Sequence, residues 1–163
     1  MDALLSRIQR LEDIDAIRQL KARYLHACDR KQIAAIRDCF ANGKVMIDYG
    51  AIGSFDSRED FLAVYQEKAC RPNIIDMHHS HNGQIEWLST EEATGTWDLF
   101  FHQIDTETGT LIQLGGYYED RYGRENGEWK MLETKFVVTS TQVSSVAGGE
   151  LKALFSGVAP PPI

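Results

Sequence analysis

The chain has 163 residues, 43% of them hydrophobic and 25% charged, and its net charge is −7. These values predict one soluble globular domain and argue against a nucleic-acid partner, because phosphate binding needs clustered lysine and arginine and no such cluster exceeds Arg30-Lys31. The opening residues show no basic segment followed by an apolar one, and no run reaches the ~20 apolar residues of a membrane helix. We therefore expect a cytoplasmic protein without a signal peptide and without membrane contact.

The first part of the chain is predicted to be mainly helical. Apolar residues recur at three- and four-residue steps, which indicates an amphipathic helix that ends near Asp29. A shorter helix is expected over Ile33–Phe40, and a third over Ser57–Lys68, with Ser57 as its N-cap. The segment Lys44–Tyr49 between them is predicted to be a strand.

From Met77 onward the sequence favours β-structure, because β-branched and aromatic residues alternate with polar ones between turn sequences. Gly115-Gly116 indicates a bulge of the kind that a curved sheet requires. Helices followed by long antiparallel strands predict an α+β domain over residues 1–142, in which three helices cover a bent sheet that encloses a pocket. Residues 143–163 are predicted to form a tail that covers the pocket or contacts another subunit. The four long predicted strands are Met77–Leu88, Ala93–Gln103, Thr110–Tyr122 and Glu128–Thr139.

Two neighbouring predicted strands place proton-transferring side chains among aromatic ones. Alternation puts His78, Ser80 and Asn82 on one face of the first strand, opposite His79 and His81. The next strand carries Asp98, Phe100 and His102 on one face. We expect these polar faces to line the pocket, since a polar group buried without a partner costs about 1–3 kcal/mol.

Asp29, at the end of the first helix, is a further candidate for proton transfer. Spacing alone favours a solvated or helix-capping acid for Asp29, and a structural histidine for His78.

Three segments of the sequence carry a further pattern: Leu25–Gln32, His78–Ile85, and Gly115–Tyr122 with Glu128–Met131 after it. Together they resemble the SnoaL-like group of the nuclear transport factor 2-like superfamily, over roughly residues 4–139. The resemblance is to enzymes of the lindane dehydrochlorinase, bile-acid dehydratase and scytalone dehydratase types. It implies a cystatin-like conical barrel, and a cofactor-free lyase or isomerase that is most like a dehydratase.

The resemblance also implies that Asp29 pairs with His78, with Tyr24 and Asp98 as further catalytic candidates. His79 stays open as an alternative to His78, because the alignment of this strand can be wrong by one residue. An imidazole, whose ordinary pKa is about 6.5, accepts protons near neutral pH. A carboxylate against its other nitrogen stabilises the imidazolium that forms.

Five residues are expected to contact a small, hydrophobic, ring-containing substrate: Asn82, Phe100, His102, Tyr117 and Lys135. The last long strand offers Lys135 and no arginine, whereas related enzymes often carry an arginine there. Because lysine and arginine differ in geometry and hydration, elimination, isomerisation and cyclisation all remain open.

Other functions are also compatible with the sequence. The histidine-rich stretch Asp76–His81 resembles a metal site, but alternation separates His78 from His79 and no second half of a metal motif follows, so we expect no metal and no cofactor. The main alternative is a ligand-binding or scaffold subunit without catalysis, like the small subunit of ring-hydroxylating dioxygenases, because a fold alone does not fix function. In either case we expect a homo-oligomer, a trimer or a dimer.

Overall fold

The computed structural model describes the backbone of residues 2–146 and 150–156, and the side chains of residues 3–146. The first 70 residues are mainly helical, and the described residues after them are mainly β-structure, as the sequence predicts. The elements are α1 (Asp2–Asp29), α2 (Ile33–Cys39), β1 (Met46–Asp48), a 3-10 turn (Gly50–Ile52), β2 (Ser54–Phe55), α3 (Arg58–Ala69), β3 (Ile74–Trp87), β4 (Glu92–Asp105), β5 (Thr110–Glu125), β6 (Glu128–Ser145) and β7 (Glu150–Ser156).

Helix ends follow local chemistry. At the start of α3, Ser57 Oγ accepts hydrogen bonds from the backbone N–H groups of Glu59 (3.1 Å) and Asp60 (3.3 Å). This satisfies two of the donors that the first helical turn leaves unpaired, so Ser57 is the predicted N-cap. The N-terminal half of α1 is different, because Leu4 and Leu11 are exposed and the buried apolar face begins only near Ile17.

The strands form one sheet in the order β2-β1-β6-β5-β4-β3, and β7 pairs with the far end of β6. All neighbours are antiparallel except β1 and β6. The predicted α+β fold is therefore confirmed. The curved sheet is not closed into a barrel, however, since β2 and β3 are its two unpaired edges within the described residues.

The sheet has an inner face, on which the helices pack, and an outer face. Along β4, Trp97 and Leu99 are buried on the inner face, whereas Asp98 and Phe100 are exposed on the outer face. Large buried side chains of the core come from the helices, the strands and the connections between them; they include Ile17, Tyr24, Phe40, Tyr49, Phe61, Trp97, Tyr118, Tyr122 and Trp129.

Register shifts at several points help to bend the sheet. The register of β5 on β6 shifts between Gly115 and Gly116, so the predicted bulge is confirmed. A Cβ atom at Gly116 would lie 2.4 Å from the carbonyl oxygen of Val137, so this position has room only for a glycine. A second shift lies on β3 between His81 and Gln84.

The C-terminal segment differs from the predicted tail. Strand β6 continues to Ser145, and β7 pairs with it from Glu150 to Ser156. Residues 147–149 and 157–163 lie outside the described residues, so a lid or a subunit contact there stays a prediction. In the described part of the chain, no helix combines the length and the hydropathy that crossing a bilayer requires.

Candidate active site

Asp29 and His78 meet where the end of α1 rests on β3. His78 Nδ1 lies 2.6 Å from Asp29 Oδ1, and the backbone N–H of His78 donates to both carboxylate oxygens, at 3.1 and 3.2 Å. The side chains are 14% and 21% exposed, so both are largely withdrawn from water yet accessible. With Nδ1–H donated to the carboxylate, the lone pair that accepts a proton is on Nε2.

Local structure fixes the position of Asp29. It is the last residue of α1, and the phenol of Tyr65 in α3 donates a 2.5 Å hydrogen bond to the carbonyl oxygen of Cys28. That bond satisfies a carbonyl of the last turn, where helices lack internal donors. The end of α1 is thereby held by α3 on one side and by β3 on the other.

The inner face beside His78 is apolar. The imidazole packs on Phe101 of β4, with ring centroids 4.6 Å apart. The strand registers continue this row of inner-face residues through Leu114 of β5 to Thr141 of β6. Phe101 and Leu114 are only partly buried, which leaves hydrophobic surface next to the acid–base pair.

Two tyrosines form a second polar contact on the inner side. The hydroxyl groups of Tyr24 and Tyr49 are 2.6 Å apart, and both residues are buried. Burial raises the pKa of both phenols well above the ordinary value, so both are neutral hydrogen-bond donors at physiological pH. Tyr24 is a catalytic candidate from the sequence. Tyr49 is not, because it follows a three-residue strand and carries no local signal.

The choice between two neighbouring histidines is settled by the register of β3 on β4. His78 lies opposite Phe101 on the inner face, whereas His79 lies opposite Phe100 and is exposed. Of the histidines in the described part of the chain, only His78 is hydrogen-bonded to Asp29.

The expected inward position of Asp98, Phe100 and His102 is wrong. Their register partners put them on the outer face, while Leu99 and Phe101 point inward. Alternation separates the two faces of a strand but does not say which one the helices cover, and here the apolar face is the covered one.

Three further substrate-binding candidates also lie away from the pair. Asn82 sits at the β3 bulge with φ +52° and donates a 2.7 Å hydrogen bond to Asp98 on the outer side. Tyr117 lies opposite Asp98 in the register, and Lys135 is half exposed with its ammonium 3.8 Å from Glu119. Their expected positions beside the pair are therefore wrong, and the inner face presents Tyr118 instead.

Among the described residues, no group of three or more histidine, cysteine, aspartate or glutamate side chains is arranged to hold a metal ion. The three histidines of β3 illustrate the reason, since His79 and His81 lie on the face opposite His78.

Comparison with known proteins identifies relatives. Residues 9–135 match the family described as the SnoaL-like domain. A solved structure described as a "Putative Scytalone Dehydratase" from Novosphingobium aromaticivorans DSM 12444 is 18% identical, with a TM-score of 0.76 over 95% of this chain and 96% of that one. A hexachlorocyclohexane dehydrochlorinase (LinA) type 2 is 20% identical, with a TM-score of 0.75 over 96% and 99%.

A third structure is described as a "putative aromatic ring hydroxylase", also from Novosphingobium aromaticivorans. It is 20% identical, with a TM-score of 0.69 over 77% of this chain and 88% of that one. At these identities the likenesses show a shared fold.

Proposed function

The chain belongs to the SnoaL-like domain family, and from this premise we propose that it is a cofactor-free lyase or isomerase, most like a dehydratase, for a small hydrophobic ring compound. The observation that carries the proposal is the 2.6 Å contact between His78 Nδ1 and Asp29 Oδ1. A carboxylate in this position fixes the tautomer and stabilises the imidazolium, which is what a general base needs.

In the proposed reaction, His78 Nε2 removes a proton from a substrate carbon. The electron pair of that C–H bond forms a C=C bond while a neighbouring C–X bond breaks, and X leaves with its electron pair. A halide leaves directly, whereas a hydroxyl takes the proton from the imidazolium and leaves as water. Return of the proton to another carbon gives isomerisation instead.

The surroundings of the pair support a hydrophobic substrate. Phe101 and Leu114 offer partly exposed apolar surface beside His78, so a ring placed there would bury apolar area. The relatives described as a scytalone dehydratase and a dehydrochlorinase favour elimination over the other reactions.

The test is activity on two probes, scytalone for loss of water and a hexachlorocyclohexane for loss of halide. We expect turnover of at least one probe, and a 10²- to 10⁴-fold lower kcat in Asp29→Asn and His78→Gln, the range that a general base contributes. His79→Gln is the matched control, because it removes a neighbouring imidazole from the outer face. Full activity of both Asp29→Asn and His78→Gln would overturn the proposal that this pair is catalytic.

A second candidate function is a non-catalytic scaffold or ligand-binding subunit. It is favoured by apolar side chains on the outer face, such as Phe100, which is 44% exposed. A stoichiometric larger subunit that co-purifies with the tagged chain, and is lost in Phe100→Glu, would support this function. Turnover of a probe by the isolated chain would exclude it as the sole role.

A further inference from the structure

Two polar contacts, rather than one, join the end of α1 to β3. Besides the pair of Asp29 and His78, the ammonium of Lys31 bonds the carboxylate of Asp76. Asp76 and His78 are two residues apart on one strand, so both point to the inner face. The two contacts therefore lie side by side.

The backbone at Lys31 is unusual for a residue with a long side chain. Its φ is +57°, the left-handed conformation that glycine usually supplies at a helix end. The N–H of Lys31 bonds the carbonyl of Cys28, and the N–H of Gln32 bonds that of Ala27, which completes a Schellman motif. The left-handed conformation is unfavourable for a lysine, and the bond to Asp76 stabilises the turn that contains it.

The partner carboxylate is buried and fully engaged. The side chain of Asp76 is 3% exposed, and its other oxygen accepts a 2.9 Å hydrogen bond from Gln103 Nε2 on β4. A buried carboxylate is tolerated when a cation and hydrogen bonds compensate it, so Asp76 offers Lys31 a rigid anchor.

We propose that Lys31 is a positioning residue for the acid–base pair. Its bond to Asp76 fixes the first residues after α1 on β3, and this holds the carboxylate of Asp29 against His78 Nδ1. The inference rests on the proposed function, because it gives Lys31 a role only if the pair of Asp29 and His78 is the working site.

The charged groups near His78 come from few elements. Asp29 belongs to α1, Lys31 to the following turn, and Asp76 to β3, while β4 presents the uncharged Phe101. Removing Lys31 and Asp76 together changes no net charge. The removed pair still alters the local field, so the quantity compared is the effect of Asp29→Asn with and without that pair, in which the direct effect of the removed charges cancels.

The test is the ¹⁵N chemical shift of His78 Nδ1, measured by NMR at one fixed pH in four proteins: wild type, Asp29→Asn, Lys31→Asn/Asp76→Asn, and the triple variant. Asparagine at position 31 keeps the left-handed turn accessible. In the wild-type background we expect Asp29→Asn to change this chemical shift, because it replaces the carboxylate oxygen that lies 2.6 Å from Nδ1 with an uncharged amide. In the double-variant background that change should be less than half as large.

A matched control replaces a different ion pair, Lys130→Asn/Glu128→Gln, whose atoms are 2.9 Å apart at the other end of the sheet. In this control background, Asp29→Asn should change the His78 chemical shift as much as it does in the wild type. An equal change with and without Lys31 and Asp76 would overturn the positioning role and leave the proposed function standing. No change from Asp29→Asn in the wild-type background would overturn the pair itself.

Discussion

Lys21 and Asp120 form an ion pair with no solvent exposure on either side chain. The ammonium of Lys21 in α1 lies 2.7 Å from Asp120 Oδ2 in β5 and 3.5 Å from the ring centre of Tyr118. The same carboxylate oxygen accepts a 2.6 Å hydrogen bond from the Tyr122 hydroxyl. In a buried charge pair each charge is compensated by the other, so removing one partner leaves an uncompensated charge in the core.

Breaking this pair on one side should be costly. Lys21→Met leaves Asp120 charged in the core, so we expect a loss of about 3–5 kcal/mol in the free energy of unfolding. Lys21→Met/Asp120→Asn should recover part of that loss, because no uncompensated charge remains. Urea unfolding monitored by tryptophan fluorescence measures both, and equal stability of the single and double variants would contradict the argument.

The tyrosine pair should show coupled effects. Tyr24→Phe and Tyr49→Phe each leave one buried hydroxyl without its 2.6 Å partner, so each is expected to cost about 1–2 kcal/mol of stability. The double variant should cost less than the sum, because it leaves no unpaired hydroxyl. A thermodynamic cycle from urea unfolding gives the coupling, and strict additivity would show that the hydroxyl groups do not interact.

Residues on the outer face should be dispensable for turnover. We expect Asp98→Asn and Lys135→Ala to keep kcat/KM within about threefold of wild type, since both side chains lie on the face opposite His78. The magnitude corresponds to less than 1 kcal/mol of transition-state stabilisation. A loss like that of Asp29→Asn would mean that Asp98 or Lys135 reaches the substrate.

Acid should weaken a buried cluster around Asp13. Burial by itself raises the pKa of this carboxyl, but hydrogen bonds from Trp87, Trp129 and Gln9 and the charge of Arg124 together lower it below 3.8. A depressed pKa in the folded state gives stability that is present above the unfolded value and is lost as the pH falls below about 4. We therefore expect Asp13→Asn to cost about 3 kcal/mol at pH 7 and less at pH 3, measured by urea unfolding. An equal cost at the two pH values would contradict this.

The outer face should mediate self-association into a trimer or a dimer. Its exposed apolar side chains on β3 and β4 include Ile75 (48% exposed), Met77 (41%) and Phe100 (44%), and the strand register places them near one another. Patches of this kind are typical of protein interfaces. Sedimentation equilibrium should show an oligomer that Phe100→Glu dissociates and that Ile52→Glu, at an exposed apolar site on the 3-10 turn, leaves intact. If the wild-type protein is monomeric at all concentrations, self-association through the outer face is ruled out.

Local signals predicted most of the fold and the position of Asp29 at the end of α1. The apolar spacing of α1 placed its end at Asp29, and Ser57 marked the start of α3, because helix ends depend on neighbouring residues. The exposure of Leu4 and Leu11 was not predicted, since the same apolar spacing extends beyond the part of the helix that reaches the sheet. Strand boundaries were also close, although β6 runs six residues beyond the predicted Thr139.

The sequence by itself determined which segments are helix or strand and which residues alternate along each strand, because these follow from the spacing of apolar residues and from turn chemistry. Only the tertiary structure decided which face is covered, since period-two alternation fits either choice, and it turned Asp98 outward. The pairing of Asp29 with His78, 49 residues away, was implied by the family resemblance and not by local spacing, and the structure shows the contact. That Lys21 meets Asp120, 99 residues away, only the tertiary structure decided. Contacts over such separations depend on how the helices pack across the sheet, which no local pattern encodes.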